Sequence, residues 1–199
     1  MNSRRQFLTF AVTTLCLALS TGAHAASAED FVKAKQAELT ALIKQGAADS
    51  KVDKVFDQVL DYSALAKAAL RDHWEGRSEA ERAEFTELLS RLVRNSYRRN
   101  LKKTLGYDVT YKGAVKGEGG EVVRTVATNK TNTREEPFSI DYVVRAENNG
   151  QRVVDIVTEG SSLVGNYRTS FNRIVKKSGF PEVLKKMRKK LEQGGGGVD

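Results

Sequence analysis

The spacing between apolar residues changes twice along this chain, and these changes restrict its fold more than any other feature. Apolar residues recur every three or four positions up to Leu105, alternate with polar residues from Tyr107 to Val157, and return to the wider spacing after Ser162. The wider spacing is typical of helices with one buried face, and alternation is typical of strands. The sequence therefore predicts an α+β domain in which N-terminal helices, a sheet and C-terminal helices follow one another.

The predicted N-terminal helices carry start and stop signals. Ser27, with Asp30 three positions later, forms a capping pattern, and Gly46 is a natural end for the helix between them. Residues 51–76 are predicted to form two short helices with a bend near Asp61.

The third helical segment has the clearest pattern. Ser78 and Glu81 form a second capping pattern, and Gly106 ends the apolar stripe that follows. The stripe has spacings of three and four and predicts an amphipathic helix of about seven turns. Its members are Phe85, Leu88, Leu89, Leu92, Val93, Tyr97, Leu101 and Leu105.

Four short sequential strands are predicted to form an antiparallel meander sheet. The turn signal at 148–150, "NNG", suits a hairpin because asparagine and glycine tolerate positive φ. The glycine-rich stretch at 113–121 is predicted to be a mobile hairpin loop between the first two strands. Apolar and aromatic residues alternate at Tyr107, Val109 and Tyr111, and again at Phe138, Ile140, Tyr142 and Val144.

Two helices are predicted to close the domain and to pack on one face of the sheet, from about Ser162 to Lys177 and from Pro181 to Gln193. Pro181 suits the first turn of a helix, where its missing N–H has no partner to lose. The glycine-rich segment 194–199 is predicted to be a flexible tail.

The first 25 residues have the layout of a secretory signal peptide. Arg4 and Arg5 precede an apolar run of roughly 13 residues, which is too short to span a bilayer. Small residues lead up to Ala25, so we expect cleavage there and export to the periplasm. The paired arginines leave both the Sec and the Tat routes open.

Cleavage after Ala25 leaves 174 of the 199 residues, which suits a single domain covering 26–193. The removed segment holds the one cysteine, Cys16, together with two arginines and no acids. The exported chain therefore has no disulfide, and its formal net charge falls from +8 to +6. A basic exported protein is suited to anionic lipid surfaces or acidic proteins rather than to nucleic acid.

A serine at a sharp turn after a strand suggests a nucleophile elbow. The turn reads Gly160-Ser161-Ser162-Leu163-Val164, and the elbow motif needs glycine where Val164 stands. A hydrolase of that type also needs a histidine after the serine, whereas the last histidine of the chain is His73. We therefore expect no enzymatic activity, with Ser161 or Ser162 acting as the N-cap of the next helix.

The residues that other kinds of catalytic site require are also missing from the sequence. One histidine and no cysteine in the exported chain cannot build a zinc site without several carboxylates. The sequence also contains no phosphate-binding loop and no dinucleotide fingerprint. We expect no metal site and no cofactor.

Two features leave alternatives open. The apolar stripes predict either a filled core or a cavity that accepts an apolar ligand. The basic residues form either a solvated surface or a docking surface for anionic lipid headgroups or an acidic partner. They comprise Arg91, Arg94, Arg98 and Lys102 on the long helix, and nine cations between Arg168 and Lys190, including Lys185, Lys186, Lys189 and Lys190.

The ordered set of motifs resembles the MlaC family of periplasmic phospholipid-binding proteins, also called toluene-tolerance proteins. The motifs are "FDQVLDYSALAKAAL" with Trp74, "SEAERAEFTELLSRLVRNSY", "VVDIVTEGSSLVGNYRTSF" and "SGFPEVLKKM". The chain departs from the family at Arg71, where glycine is frequent, and at Ser161-Ser162-Leu163, where Val-Ser-Met is more usual. These departures leave the identity of the lipid open.

The resemblance implies a monomeric carrier that moves phospholipid between an outer-membrane lipoprotein complex and an inner-membrane ABC transporter with an MCE ring. It implies an apolar pocket between sheet and helices, with bound phospholipid as cargo and no cofactor. The alternatives are a carrier of another lipid, such as a hopanoid, and a basic periplasmic adaptor without a ligand. The candidate lipid-binding residues are Leu89, Val93, Tyr97, Phe138, Ile140, Tyr142, Gly160, Ser161, Leu163, Val164 and Tyr167.

Overall fold

The computed structural model describes residues 26–147 and 150–195, apart from the side chains of residues 101 and 102. The expected signal peptide at 1–25 lies outside the described residues, as do residues 148–149 of the hairpin turn and 196–199 of the tail. The described helices are α1 (Ala28–Lys44), α2 (Asp49–Val59), α3 (Tyr62–Leu70), α4 (Glu79–Thr104), α5 (Leu163–Ser178) and α6 (Phe180–Glu192), with a 3₁₀ turn at Arg71–His73. The strands are β1 (Tyr107–Gly117), β2 (Gly120–Asn129), β3 (Phe138–Glu147), β4 (Gly150–Thr158) and β5 (Ser161–Ser162).

Both predicted capping patterns form. The Ser27 hydroxyl accepts a hydrogen bond from the Asp30 amide at 3.1 Å and begins α1. At the start of α4, the Ser78 hydroxyl accepts from the Glu81 amide at 3.2 Å, while the Glu81 carboxylate accepts from the Ser78 amide at 2.8 Å. The bend near Asp61 is also confirmed, because the Asp61 side chain caps α3. Each cap satisfies an amide that the helix itself leaves without a partner.

The sheet is an antiparallel meander in the order β1-β2-β3-β4-β5. The predicted hairpin between β3 and β4 is present, because Glu147 pairs with Gly150. The α+β class is confirmed, and the sheet has one strand more than predicted, the short strand β5, which pairs with Val157 and Thr158. A strand of two residues carries no alternation that a sequence pattern can detect.

The interpretation of 113–121 as a hairpin loop is wrong for most of that segment. β1 continues to Gly117 and β2 begins at Gly120, so the turn between them is short. A side chain at Gly120 would overlap the Val144 carbonyl of β3, so this glycine permits close pairing of backbones. Gly113 has φ of +93° at a bulge that places one extra residue in β1 between Tyr111 and Ala114.

The helices cover one side of the sheet and enclose the core. Phe85 of α4 packs edge-on against Phe171 of α5, with ring centroids 5.1 Å apart, and Phe180 of α6 lies 6.0 Å from Phe85. α5 packs against β4 as predicted, whereas α6 packs mainly on α4 and α5. Among the described residues, no helix combines the length and the apolar character needed to cross a membrane.

Candidate functional site

Eight of the eleven candidate residues belong to the continuous apolar core, where they lie on α4, β3 and α5. Four of them are fully part of the core, and four are partly buried against it. The buried ones are Leu89, Val93, Val164 and Tyr167. The partly buried ones are Tyr97, Ile140, Tyr142 and Leu163. The sequence-predicted site is therefore a single region with a close-packed part and a less closely packed part.

The other three candidates lie outside this cluster. Phe138, at the start of β3, packs edge-on against Tyr107, with ring centroids 5.2 Å apart. Gly160 and Ser161 are exposed in the turn between β4 and β5. Gly160 has φ of +74°, which explains the glycine, but a Cβ there would meet nothing within 4 Å. The turn therefore needs glycine for its backbone conformation and not for lack of space.

Tyr97 lies near two other tyrosines of the core, Tyr142 and Tyr167. Burial raises the pKa of Tyr97 well above its usual value, and the proximity of Tyr142 and Tyr167 raises it further. Burial also raises the pKa of Tyr142, and it raises the pKa of Tyr167 to about 12. Tyr97 and Tyr142 nevertheless keep accessible surface. These hydroxyls stay neutral at physiological pH.

A groove of about 430 Å³ opens between α1 and β1 on the side of the tyrosines. Tyr111 of β1 lines it and donates a hydrogen bond from its hydroxyl to Gln36 of α1, while the Lys33 ammonium lies 5.0 Å from the centre of its ring. Tyr111 also raises the pKa of Tyr142, because the two side chains are close enough to interact electrostatically. Sequence reasoning placed Tyr111 on the first strand but did not include it in the site.

Asp155 of β4 is a site residue that sequence reasoning missed. Its Oδ2 accepts a hydrogen bond from the Ser162 hydroxyl at 2.5 Å, and its Oδ1 accepts from the Val164 amide at 3.1 Å. The Ser162 hydroxyl in turn accepts from the Gly165 amide at 2.9 Å, so Ser162 is the N-cap of α5. The sequence feature that could have indicated Asp155 is a single acid inside the apolar run "VVDIV".

The local geometry gives Ser162 a structural role. Its hydroxyl is held by Asp155 and by the first turn of α5. His73 lies elsewhere, with Nε2 3.0 Å from Oδ1 of Asn172. Within the described ranges, no three His, Cys, Asp or Glu side chains come close enough to hold a metal ion.

Two basic residues of α4 are neutralised by acids of α2. The Arg94 guanidinium lies 2.7 Å from Asp57, and that of Arg98 lies 2.7 Å from Asp49 and 3.5 Å from Asp53. Both arginines are thus paired within the protein, and their interpretation as a docking surface stays a prediction. Acids four residues apart share one side of a helix, and this spacing on α2 matches the arginines of α4. Arg91 is exposed, and the Lys102 side chain is outside the described residues.

Comparison with known proteins identifies the family. The sequence profile described as MlaC protein matches residues 26–189. The chain belongs to the MlaC family. The profile match covers nearly all of the described residues, so it confirms the family resemblance that the four sequence motifs indicated.

A solved structure shares the fold of this MlaC-family protein. It is the phospholipid-binding protein from Ralstonia solanacearum, determined in complex with a phospholipid. The two chains are 23% identical, the match covers 85% of this chain and 99% of the other, and the TM-score is 0.72. No curated protein sequence matches the chain significantly.

Proposed function

We propose that the protein binds phospholipid, with the acyl chains held between β3, α4 and α5. The observation that carries this proposal is the shared fold with a protein solved with bound phospholipid, together with membership of the MlaC family. The partly buried side chains Tyr97, Ile140, Tyr142 and Leu163 support it, because they border the core without being closed off by it. The acyl chains contact these side chains, and the headgroup stays in water.

The energetics of lipid transfer suit such a site. Each buried methylene is worth about 0.8 kcal/mol, so two chains of about 15 methylenes represent roughly 24 kcal/mol in a bilayer. A carrier must replace nearly all of this free energy with protein contacts and must not exceed it, or the lipid is never released. Neutral tyrosine hydroxyls among apolar side chains make the lining slightly less apolar than a bilayer interior, which favours release.

The wider role that we propose is that of a periplasmic carrier, exported by a cleaved signal peptide and acting as a monomer without a cofactor or catalytic activity. It exchanges phospholipid with an outer-membrane lipoprotein complex and with an inner-membrane MCE/ABC transporter, and so maintains outer-membrane lipid asymmetry. Family membership and the signal-like first 25 residues support this role. A hopanoid as cargo and an adaptor without a ligand are the alternatives that experiment must separate.

Organic extraction of natively purified protein tests the binding step. Protein that has never met detergent is extracted, and the lipids are identified and counted by mass spectrometry. We expect about one diacyl phospholipid per chain. A hopanoid in its place would change the cargo, and extracts without lipid would contradict the proposal and favour the adaptor.

A pair of variants tests the location of the site. Ile140→Trp places a large ring among the partly buried residues, whereas Val115→Trp places the same ring at a side chain that is 41% exposed. We expect Ile140→Trp to lower the bound lipid per chain and Val115→Trp to leave it unchanged, with native far-UV circular dichroism for both. Full occupancy in the Ile140→Trp variant would place the lipid elsewhere.

A further inference from the structure

The outer face of α6 is a dense group of lysines. α6 buries Phe180, Val183, Leu184 and Met187 against α4 and α5, and it turns its remaining positions toward solvent. The α6 basic face consists of the exposed lysines of α6 and of the last turn of α5, which leads into α6 through Gly179. These lysines are Lys176, Lys177, Lys185, Lys186 and Lys189.

The α6 basic face is hardly neutralised by the protein itself. Lys185 is 75% exposed, and its ammonium lies 3.7 Å from Glu182. The other four lysines form no side-chain ion pair or hydrogen bond with any described residue. In contrast, Arg188 of the same helix pairs with Glu84 of α4, and Arg94 and Arg98 pair with α2. The protein has paired these three arginines internally and left this group of lysines to solvent.

The chemistry of the α6 basic face selects its partner. Interfaces with proteins draw most of their affinity from buried aromatic residues and arginine, and in the described part of the chain the exposed large hydrophobic side chain is Val115 of β1. Lysine ammonium groups on flexible stems suit a diffuse negative charge rather than fixed bidentate pairs. Clusters of four to eight basic residues on an amphipathic helix are typical of contacts with anionic lipid headgroups.

We infer that the α6 basic face contacts anionic membrane surfaces. The contact is peripheral and electrostatic, because no apolar side chain on this face is available to enter the bilayer. It does not depend on the proposed lipid site, which lies between α4, α5 and β3. A purely electrostatic contact allows rapid arrival and rapid departure, since its strength is screened within about 10 Å at 0.1 M salt.

Vesicle sedimentation with the natively purified protein tests this inference. We expect the protein to sediment with vesicles of 70% phosphatidylcholine and 30% phosphatidylglycerol at low salt, and to stay in solution with pure phosphatidylcholine. Each lysine near an anionic surface is worth about a fivefold change in partitioning, so the triple variant Lys185→Gln, Lys186→Gln, Lys189→Gln should bind roughly 100-fold less. Raising the salt to about 1 M, where the screening length falls to about 3 Å, should release the wild type.

A matched variant separates this surface from net charge. Lys51→Gln, Lys112→Gln, Lys116→Gln removes the same charge from exposed lysines on α2 and β1, and we expect it to bind vesicles like the wild type. An equal loss in both triple variants would overturn the inference. So would failure of the wild type to bind anionic vesicles, and retention on a polyglutamate matrix through the same α6 lysines would then assign the face to an acidic protein. Extraction of bound phospholipid is measured separately, so the two proposals can fail independently.

Discussion

The Ser162 hydroxyl donates a hydrogen bond to Asp155 at 2.5 Å, and this contact ties the first turn of α5 to the middle of β4. The same carboxylate accepts from the Val164 amide and from the Ile156 amide. Because α5 carries Val164 and Tyr167 of the candidate lipid site, Asp155 positions that part of the site through the Ser162 hydroxyl and the Val164 amide. A carboxylate suits this role because it accepts several bonds at a helix N-terminus, where the helix dipole favours negative charge.

Removal of Asp155 should destabilise the protein strongly. Asp155→Ala leaves two backbone amides and the Ser162 hydroxyl without their acceptor, and we expect the free energy of unfolding to fall by about 2–3 kcal/mol. Asp155→Asn keeps an acceptor for the amides and should lose about half as much. Urea denaturation followed by circular dichroism measures both, and equal stability of wild type and Asp155→Ala would contradict the positioning role.

The two serines of the turn should differ in their contribution to stability. Ser162→Ala removes the N-cap of α5 and should cost about 1 kcal/mol, whereas Ser161 bonds only to the exposed Asn166 side chain and should cost little on replacement. Neither variant should change any chemical activity. Covalent labelling of either serine by a fluorophosphonate probe would indicate a nucleophile and contradict the cap interpretation.

Gly160 should tolerate asparagine better than valine. Its φ of +74° lies in the left-handed region, which costs an ordinary residue about 1–2 kcal/mol and costs asparagine less. We expect Gly160→Val to lower the free energy of unfolding, with native far-UV circular dichroism, and Gly160→Asn to have a smaller effect. Urea denaturation measures both, and equal stability of the wild type and the valine variant would contradict the conformational requirement for glycine.

The buried tyrosines should make the protein unstable at high pH. The pKa of Tyr167 is raised to about 12 in the fold and is about 10 in an unfolded chain. The unfolded state therefore loses its proton first, so the stability due to neutral Tyr167 is complete below pH 10 and is lost as pH rises toward 12. We expect Tyr167→Phe to have a shallower decline in unfolding free energy between pH 10 and 11.5, measured by urea denaturation. Identical slopes would contradict the raised pKa.

Arg94 should contribute to stability through its ion pair with Asp57 and should not contribute to contacts with a partner protein. A double-mutant cycle with Arg94→Ala and Asp57→Ala should give a coupling energy of about 0.5–1 kcal/mol, because the pair is close but partly solvated. Arg91→Ala is the control, since Arg91 is exposed on the same helix without a described partner, and should leave stability unchanged. The rate of lipid delivery to acceptor membranes should be the same in all variants. A slower rate for Arg94→Ala at unchanged stability would support the docking interpretation.

The fold was largely predictable because its main signals are local. Capping by Ser78 and the spacing of the α4 stripe depend on neighbours in sequence, and so does the alternation within β3. The β1–β2 hairpin was partly missed because the glycines there read as a loop, although Gly120 is required by the approach of Val144 from β3. That contact is distant in sequence and leaves no local pattern.

The site was only partly predictable for a related reason. Periodicity indicates which residues point inward, but it does not indicate how tightly they pack. Leu89 and Tyr97 belong to the same stripe of α4, yet Leu89 is 1% exposed and Tyr97 keeps accessible surface beside Tyr142. The pairing of Arg98 with acids of α2 was missed because it depends on the relative placement of two helices.

The bulge at Gly113 has a consequence for how copies of the protein behave in a crowded compartment. β1 is the edge of the sheet, and a straight edge strand offers its free N–H and C=O groups to a strand from another chain. The extra residue at the bulge interrupts that row of groups, and the exposed Lys112 and Lys116 add like-charge repulsion between two such edges. The edge is thereby protected against strand exchange and aggregation.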